Sequence, residues 1–438
     1  MRGLTRCLSG VAGAIALTIA DRPAALSAQD ASRVAALARA DSIRASLRRP
    51  PPRPAFDGLD AAQLPLTLIG LPLDLLFRGI GAATGLVEIR GPTPFYVEGL
   101  GHLHDAGIRP GIRASIGPRS GLAGTVRIET FAPFFLETGI SLRGSQRHRA
   151  GLALTGDRVS LKLEYGFHRD AEAHFWGLGS RSPRSSRSDF LRDRQDAEAR
   201  VDLRLADVVE LTGALGYESD RIDRGFDGSR PDLQDAFAGV LPFGAAERLR
   251  YLRYEIGSTL DLTHRAGFQT RGARFRAAAT LFRGTGGTRS DFHRLEAEAS
   301  LYLPLNPRQL LALRALAQTN DPDGGAGVPF YHLAALGGSR TLRAYDTERF
   351  RDRNLALLQT EWRYEVWRDL HERSRLEFYL FLEEGAVSRR FSDLPTADFR
   401  HAAGIGTRLV SRRSVALVTW LGFGGEGSRA GVRTTWPF

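Results

Sequence analysis

The sequence predicts an all-β fold, a transmembrane antiparallel β-barrel of about 16 strands with a short helical or extended N-terminal segment. Three features of the 438 residues support this prediction. Apolar and polar residues alternate along long stretches, full charges lie on the polar face in the middle of those stretches, and short links alternate with long ones. Strands of ~9–11 residues can cross a bilayer at a tilt, and a charged face can line a water-filled bore.

The region before the barrel is predicted to carry an export signal and a periplasmic segment. Two arginines precede an apolar run from Cys7 to Ala20, and small residues follow, which is the layout of a signal peptide over residues 1–28. Residues 29–108 contain an arginine-rich helical stretch, a proline cluster and apolar residues at helical spacing. We expect a helix and linker, then an amphipathic helix that lies on the membrane, plugs the lumen or packs against the wall.

Residues 109–438 are predicted to form an outer-membrane barrel. In the stretch 158–167, five apolar residues share one face, and Arg158, Ser160, Lys162 and Glu164 share the other. The links after even-numbered strands are short, whereas several after odd-numbered strands are long, as in barrels with periplasmic turns and outward loops. The long links are 169–192, 219–248 and 319–352, and the strands are expected at 110–117, 122–131, 134–143, 147–155, 158–168, 193–205, 207–218, 249–262, 267–283, 290–303, 308–318, 353–366, 374–388, 399–411, 413–423 and 429–438.

The chain ends in AGVRTTWPF, which predicts a terminal strand signal at Trp436, Pro437 and Phe438. Trp436 and Phe438 share one face of the strand, and aromatic side chains sit well at a membrane interface. Pro437 removes one backbone donor from the last strand. We therefore expect weak closure between the first and last strands.

Composition argues against other classes of protein. The net charge is +11, but basic residues are dispersed among acids, so no nucleic-acid partner is predicted. The only cysteine, Cys7, lies in the predicted signal peptide, so no disulfide is expected. His102 and His104 have no third ligand nearby, which favours a surface turn over a metal site. No metal and no cofactor is predicted.

The charged segment between the eleventh and twelfth predicted strands contains a short sequence motif. Residues 336–345 read LGGSRTLRAY and precede further charges. The segment resembles the sixth outward loop of the BamA/TamA-like bacterial surface-antigen superfamily, which folds back into the lumen and carries Arg-Gly-Phe or Arg-Gly-Tyr at its tip. The resemblance puts Arg343 at the arginine and Tyr345 at the aromatic, whereas Ala344 departs from the family's glycine. Gly337 and Gly338 would let the chain turn back sharply.

The resemblance also implies a partner for this arginine on the thirteenth strand. There the family has a pattern like Phe-x-Asp-x-Gly, and this sequence has Phe381-Leu382-Glu383-Glu384-Gly385. Glu383 and Gly385 take the places of the family's aspartate and glycine. Period two independently puts Glu383 on the face opposite the apolar residues, so it is expected to point into the lumen and to form a charge-assisted pair with Arg343.

Residues 174–190 resemble a Tyr-Gly-hydrophobic-Gly-x-x-Ser segment of compact members of this superfamily. The resemblance implies a barrel of the Gram-negative cell outer membrane that inserts or exports protein or other substrates without enzymatic turnover. Its expected partners are outer-membrane lipids, lipopolysaccharide and unfolded client proteins. Residues 29–108 show no POTRA pattern, so client handling stays open. The alternatives are a passive channel or structural barrel and, less favoured, an outer-membrane hydrolase.

Overall fold

The structure is a computed structural model that describes residues 108–117, 121–130, 133–141, 143–225, 230–266, 269–287, 290–368, 374–411 and 415–433. The chain separates into two units, Met1–Pro92 and Thr93–Phe438, and all described residues belong to the second. The predicted signal peptide, nearly all of the segment 29–108 and the terminal Trp436, Pro437 and Phe438 lie outside the described residues. The predictions for them stay predictions.

Sixteen antiparallel strands form the wall, and each is hydrogen-bonded to the next in chain order. Residues of the first and last strands approach within 8 Å between Cα atoms, so the two ends of the sheet lie side by side. The strands are β1 Ile108–Gly117, β2 Gly121–Thr130, β3 Phe134–Ser141, β4 Gln146–Thr155, β5 Val159–Phe175, β6 Ser188–Ala206, β7 Val209–Arg224, β8 Leu249–Asp261, β9 Gln269–Gly284, β10 Phe292–Asn306, β11 Gln309–Pro322, β12 Asn354–Arg368, β13 Ser374–Ser388, β14 Arg400–Ser411, β15 Val415–Gly424 and β16 Gly427–Arg433.

The predicted number and order of strands are confirmed, but several strands extend beyond their predicted bounds, above all β5, β6 and β7, and β11 continues to Pro322. The predicted link 169–192 is wrong for half of its length, because β5 continues to Phe175 and β6 begins at Ser188. Likewise, β7 continues to Arg224. Charges in these extensions offset one another across the ladder: Arg169 donates two hydrogen bonds of 2.7 Å to the carboxylate of Asp193. Paired charges let a strand extend through a charged stretch that resembles a loop.

The wall is apolar outside and polar inside. On β13 the side chains of Leu380 and Leu382 are 43% and 62% exposed, whereas their neighbours Tyr379 and Glu383 are 0% and 1% exposed. A soluble sheet shows the reverse, because its apolar face packs on the core. The exposed apolar face of this sheet is the surface that a bilayer covers.

The connections follow the predicted asymmetry, with the long links after odd-numbered strands. Residues 176–187 contain a 3₁₀ turn at Arg184–Ser186, the link from β7 to β8 contains helix α1 at Leu233–Ala236, and residues 389–399 contain a 3₁₀ helix at Phe391–Thr396. We call residues 323–353 the long loop.

The long loop contains a 3₁₀ turn at Phe330–His332 and two paired short strands, Ala334–Leu336 and Phe350–Asp352. Across the described ranges of the chain, the helices are all too short or too polar to span a membrane.

Candidate functional site

The long loop reverses direction at two glycines. Gly337 and Gly338 have φ angles of 114° and 92°, in the left-handed region that favours glycine. A Cβ atom on Gly337 would lie 2.1 Å from the carbonyl oxygen of Asp346, and one on Gly338 would lie 2.9 Å from Oγ1 of Thr347. The turn therefore requires glycine for its backbone conformation and for close packing, and it presents the next residues to the interior of the wall.

Arg343 lies in this interior and contacts Glu383 on β13. Its side chain is 2% exposed. Nε donates a hydrogen bond to Glu383 Oε1 at 2.6 Å, and the backbone N of Arg343 donates to Glu383 Oε2 at 2.7 Å. One carboxylate thus holds both the side chain and the backbone of the loop tip. The structure brings together the two residues that the sequence motif placed opposite one another.

A second carboxylate, on β12, completes the surroundings of the guanidinium group. Nη1 of Arg343 lies 2.8 Å from Oε1 of Glu361, and the guanidinium carbon lies 3.8 Å from the ring centroid of Phe381. Burial lowers the pKa of Arg343, but the charges of Glu383 and Glu361 outweigh that effect and raise its pKa above the ordinary value. The loop tip therefore keeps its positive charge in a site closed to bulk water.

The two residues after Arg343 contact the last strands of the wall. The hydroxyl group of Tyr345 donates to the carbonyl oxygen of His401 at 3.1 Å and accepts from the backbone N of Gly425 at 3.0 Å. Ala344 packs against β15, where a Cβ atom on Gly424 would lie only 3.0 Å from Cβ of Ala344. The methyl group that departs from the family's glycine thus faces a glycine of the wall.

Gly385 lets the wall approach the short loop strand Ala334–Leu336. A Cβ atom at Gly385 would lie 2.9 Å from Cδ1 of Leu336 and 3.2 Å from the carbonyl oxygen of Ala356. Leu336 is buried in an apolar cluster shared by the long loop and the inward faces of β12 and β13. Packing, as well as charge, therefore fixes the loop inside the wall.

The long loop also binds the last hairpin, formed by β15 and β16. Nη1 of Arg433 donates to the carbonyl oxygen of Ser339 at 2.6 Å, and Arg429 pairs with Asp346. In the turn of the hairpin, Glu426 accepts a hydrogen bond of 2.6 Å from Nη2 of Arg349. The loop is therefore bonded both to β13 and to the hairpin at the end of the wall.

The loop between β5 and β6 reaches the opposite wall. The hydroxyl group of Ser180 accepts a 3.0 Å hydrogen bond from the backbone N of Val387 on β13, and the carbonyl oxygen of Ser180 accepts a 2.6 Å bond from Arg400. Nη1 of Arg349 donates to Ser182 Oγ at 2.8 Å. Because β5 and β13 are eight positions apart in a wall of sixteen strands, this loop crosses the mouth and contacts the long loop.

Sequence reasoning missed several of these contacts. Period two along β12 places Glu361 on the polar face with Gln359 and Arg363, but its contact with Arg343 was not predicted, because the family motif names one carboxylate. Gln359 links the two elements, since its Nε2 lies 2.6 Å from Glu383 Oε1 and 2.7 Å from the carbonyl oxygen of Thr341. The role of this network in function stays a prediction.

A sixteen-stranded wall with an apolar outer face, a charged interior and a loop folded inside defines an outer-membrane β-barrel. The model of the Omp85 superfamily domain matches residues 114–417, and the chain belongs to this superfamily.

Among solved structures, the fold is similar to that of BamA from Haemophilus ducreyi lacking POTRA domains 1-3. That match has a TM-score of 0.55 at 14% identity and covers 76% of this chain and 77% of the other. CdiB from Escherichia coli matches with a TM-score of 0.50 at 14% identity and covers 74% of this chain and 66% of the other. Comparison with curated proteins gave no match.

Proposed function

We propose that this barrel inserts or exports protein substrates at the outer membrane and does so without enzymatic turnover. The observation that carries the proposal is the double attachment of the long loop, which binds β13 through Arg343 and the last hairpin through Arg433. A passive wall needs no such link between its interior and its end strands. Membership of the Omp85 superfamily and the implied kinship with assembly barrels support the same function.

The physical basis is a coupling between the loop tip and the end of the sheet. Outward movement of the hairpin would break the bonds of Arg433 and Arg429 to the loop and the bond between Gly425 and Tyr345. Arg343 would stay on Glu383, because its two bonds to that carboxylate do not involve the hairpin. The loop would thus remain in place while the hairpin moves, which gives a client strand access to the edge of β16.

The proposed clients are unfolded proteins that form strands, since an exposed strand edge binds another strand through main-chain hydrogen bonds. Lipopolysaccharide and outer-membrane lipids are the proposed surroundings of the apolar face. Depletion of the protein followed by a census of outer-membrane proteins would identify the clients.

A disulfide between the loop and the hairpin tests the coupling. The replacements Ala344→Cys and Gly424→Cys would place two Cβ atoms about 3.0 Å apart, and a shift of a few tenths of an ångström reaches the ~3.5–4.5 Å of a disulfide. The sequence contains one other cysteine, Cys7, which is replaced by serine in all variants. We expect the oxidised double variant to fail to restore the outer-membrane census in depleted cells, and a reductant to restore it. Each single cysteine variant serves as a control, and full activity of the oxidised variant would contradict the proposal.

A passive channel is the second candidate, and charges on the interior of the early strands favour it. Lys162 and Arg149 flank Glu164 at 2.7 and 3.6 Å, and both basic side chains remain partly exposed. Planar-bilayer recordings of the full chain separate the two functions. Large steady currents, together with an unchanged outer-membrane census after depletion, would favour the channel.

A further inference from the structure

Three buried side chains converge at the base of the long loop. His332 belongs to the loop, and Glu218 and Asp220 belong to β7. Their side chains are 6%, 2% and 0% exposed, respectively. Nε2 of His332 lies 2.9 Å from Oε1 of Glu218 and 3.7 Å from Oδ2 of Asp220, and the three atoms lie within 4.8 Å of one another.

These three atoms lack hydrogen-bond partners of good geometry among the residues that the structure describes. Each carboxylate uses its other oxygen: Oδ1 of Asp220 accepts from Nε of Arg192 at 2.8 Å, and Oε2 of Glu218 lies 3.0 Å from Nη2 of Arg194. The arginines therefore fix the orientation of both carboxylates and leave one oxygen of each directed at the imidazole nitrogen. Buried polar atoms without partners destabilise a fold unless another group satisfies them.

Four aromatic rings pack around the imidazole ring of His332. The ring centroids of Tyr331, Phe282, Phe292 and Tyr251 lie 5.0, 5.1, 5.5 and 5.7 Å from that of His332. The carbonyl oxygen of His332 accepts a hydrogen bond of 2.7 Å from Arg294. This packing restricts rotation of the ring, and in the structure its Nε2 atom faces the two carboxylates.

We propose that this cluster binds a divalent transition-metal cation of the Zn²⁺ class through Nε2 of His332, Oε1 of Glu218 and Oδ2 of Asp220. A tetrahedral ion with bonds of ~2.0–2.2 Å holds its donor atoms roughly 3.3 Å apart, and the two distances of 2.9 and 3.7 Å lie on either side of that value. Three protein ligands leave a fourth position for water. Arg192 and Arg194 bind the outer oxygens of the carboxylates, the kind of contact that orients metal ligands.

A protonated histidine is the competing explanation, and it satisfies the cluster less well. One N–H group can donate to only one of the two facing oxygens, so the other oxygen would stay unpaired. A cation satisfies all three atoms at once. Because Glu218 and Asp220 belong to the wall and His332 to the long loop, the ion would attach the base of that loop to β7.

Metal analysis of the full chain, folded in detergent and purified without chelator, tests the proposal. His332→Gln and Glu218→Gln each remove one ligand. His174→Gln is the matched control, because His174 is also buried and contacts a single carboxylate, that of Asp189, at 2.8 Å. The measurements are Zn²⁺ per folded chain, the absorption spectrum with Co²⁺ and the Tm before and after chelation, with folding of every variant checked by heat-dependent gel mobility.

We expect about one Zn²⁺ per folded chain for the unmodified protein and for His174→Gln, and at least tenfold weaker binding for either ligand variant. Chelation should lower the Tm of the first two proteins by about 3 °C or more. Folded protein without stoichiometric metal would overturn the proposal, as would binding that survives both ligand replacements. A Tm of the folded protein that does not change on chelation would also overturn it.

Discussion

The two ends of the long loop are built alike and differ in one respect. At the tip, Arg343 lies between the carboxylates of Glu383 and Glu361 and stacks on Phe381. At the base, His332 lies between two carboxylates of β7 and packs among four aromatic rings. The tip has a forked cation that donates to Glu383 and forms an ion pair with Glu361. The base has a single ring nitrogen that can serve only one.

Because of this difference, the tip is attached to the wall by charges of the protein alone, whereas the attachment of the base would include a bound cation. Arginine carries its charge at every physiological pH and presents several donors at once. Imidazole, in contrast, presents a single free ring nitrogen here and is the commonest metal ligand among side chains. The tip is thus held by a permanent charge of the protein itself, whereas the base is the proposed cation site.

The largest expected effect is the loss of the tip arginine. Arg343→Ala would leave Glu383 and Glu361 as buried carboxylates without this cation, so we expect the free energy of unfolding to fall by roughly 3–5 kcal/mol. Unfolding by denaturant in detergent, followed by tryptophan fluorescence, measures the change. The matched control is Arg221→Ala, which removes the exposed pair of Arg221 with Asp223 and should cost no more than ~1 kcal/mol. Equal costs for the two variants would show that the tip is solvated.

A substitution in the glycine turn that precedes the tip should lower the free energy of unfolding nearly as much. In Gly337→Ala the new Cβ atom would meet the backbone oxygen of Asp346 at 2.1 Å and also occupy the left-handed region, so we expect a loss of roughly 2–4 kcal/mol. Gly325→Ala is the control for backbone strain alone, because Gly325 has a φ angle of 83° and nothing within 4 Å of its Cβ position. That variant should cost only about 1 kcal/mol. If both variants cost the same, close packing at Gly337 contributes nothing.

The tip and the base of the long loop should differ in what stabilises them, which is a permanent charge at the tip and a bound cation at the base. The raised pKa of Arg343 means that its contribution to stability is fully present below the ordinary pKa of arginine and is lost only at still higher pH. The cost of Arg343→Ala should therefore be the same at pH 6 and pH 8. At the base, stabilisation by Zn²⁺, about 2.7 kcal/mol at a hundredfold excess over Kd, should be lost in His332→Gln. A Zn²⁺ effect that survives this replacement would argue against histidine ligation.

Much of this architecture could be predicted from the sequence, because the membrane imposes a strict pattern. A strand that crosses lipid must alternate, so period two gave the sixteen strands and the inward direction of Glu383. The pattern failed where the membrane ends. The outer parts of β5 to β7 are charged on both faces and are stabilised by pairs such as Arg169 with Asp193, which local sequence does not reveal.

The base of the loop could not be predicted for a different reason. His332 lies more than a hundred residues after Glu218 and Asp220, and no fixed spacing joins a wall strand to a distant loop. Only the three-dimensional packing brings the imidazole to the carboxylates. The close contact between Ala344 and Gly424 could not be predicted for the same reason. The glycine that leaves room for the methyl group lies on a different strand, β15.

The smallest predicted loss of stability concerns the contact between Ala344 and Gly424. Gly424→Ala would place a Cβ atom 3.0 Å from Cβ of Ala344 and from the ring of Tyr345, so we expect a loss of about 1–2 kcal/mol. Ala344→Gly removes the methyl group on the other side, and the double variant should be less destabilised than the sum of the two by roughly 0.5–1 kcal/mol. Gly286→Ala, with nothing within 4 Å, is the control. The clash should be relieved only in part, because the ring of Tyr345 remains close to the new Cβ atom. If the losses of stability of the two single variants simply added, the loop tip and β15 would adapt independently of one another.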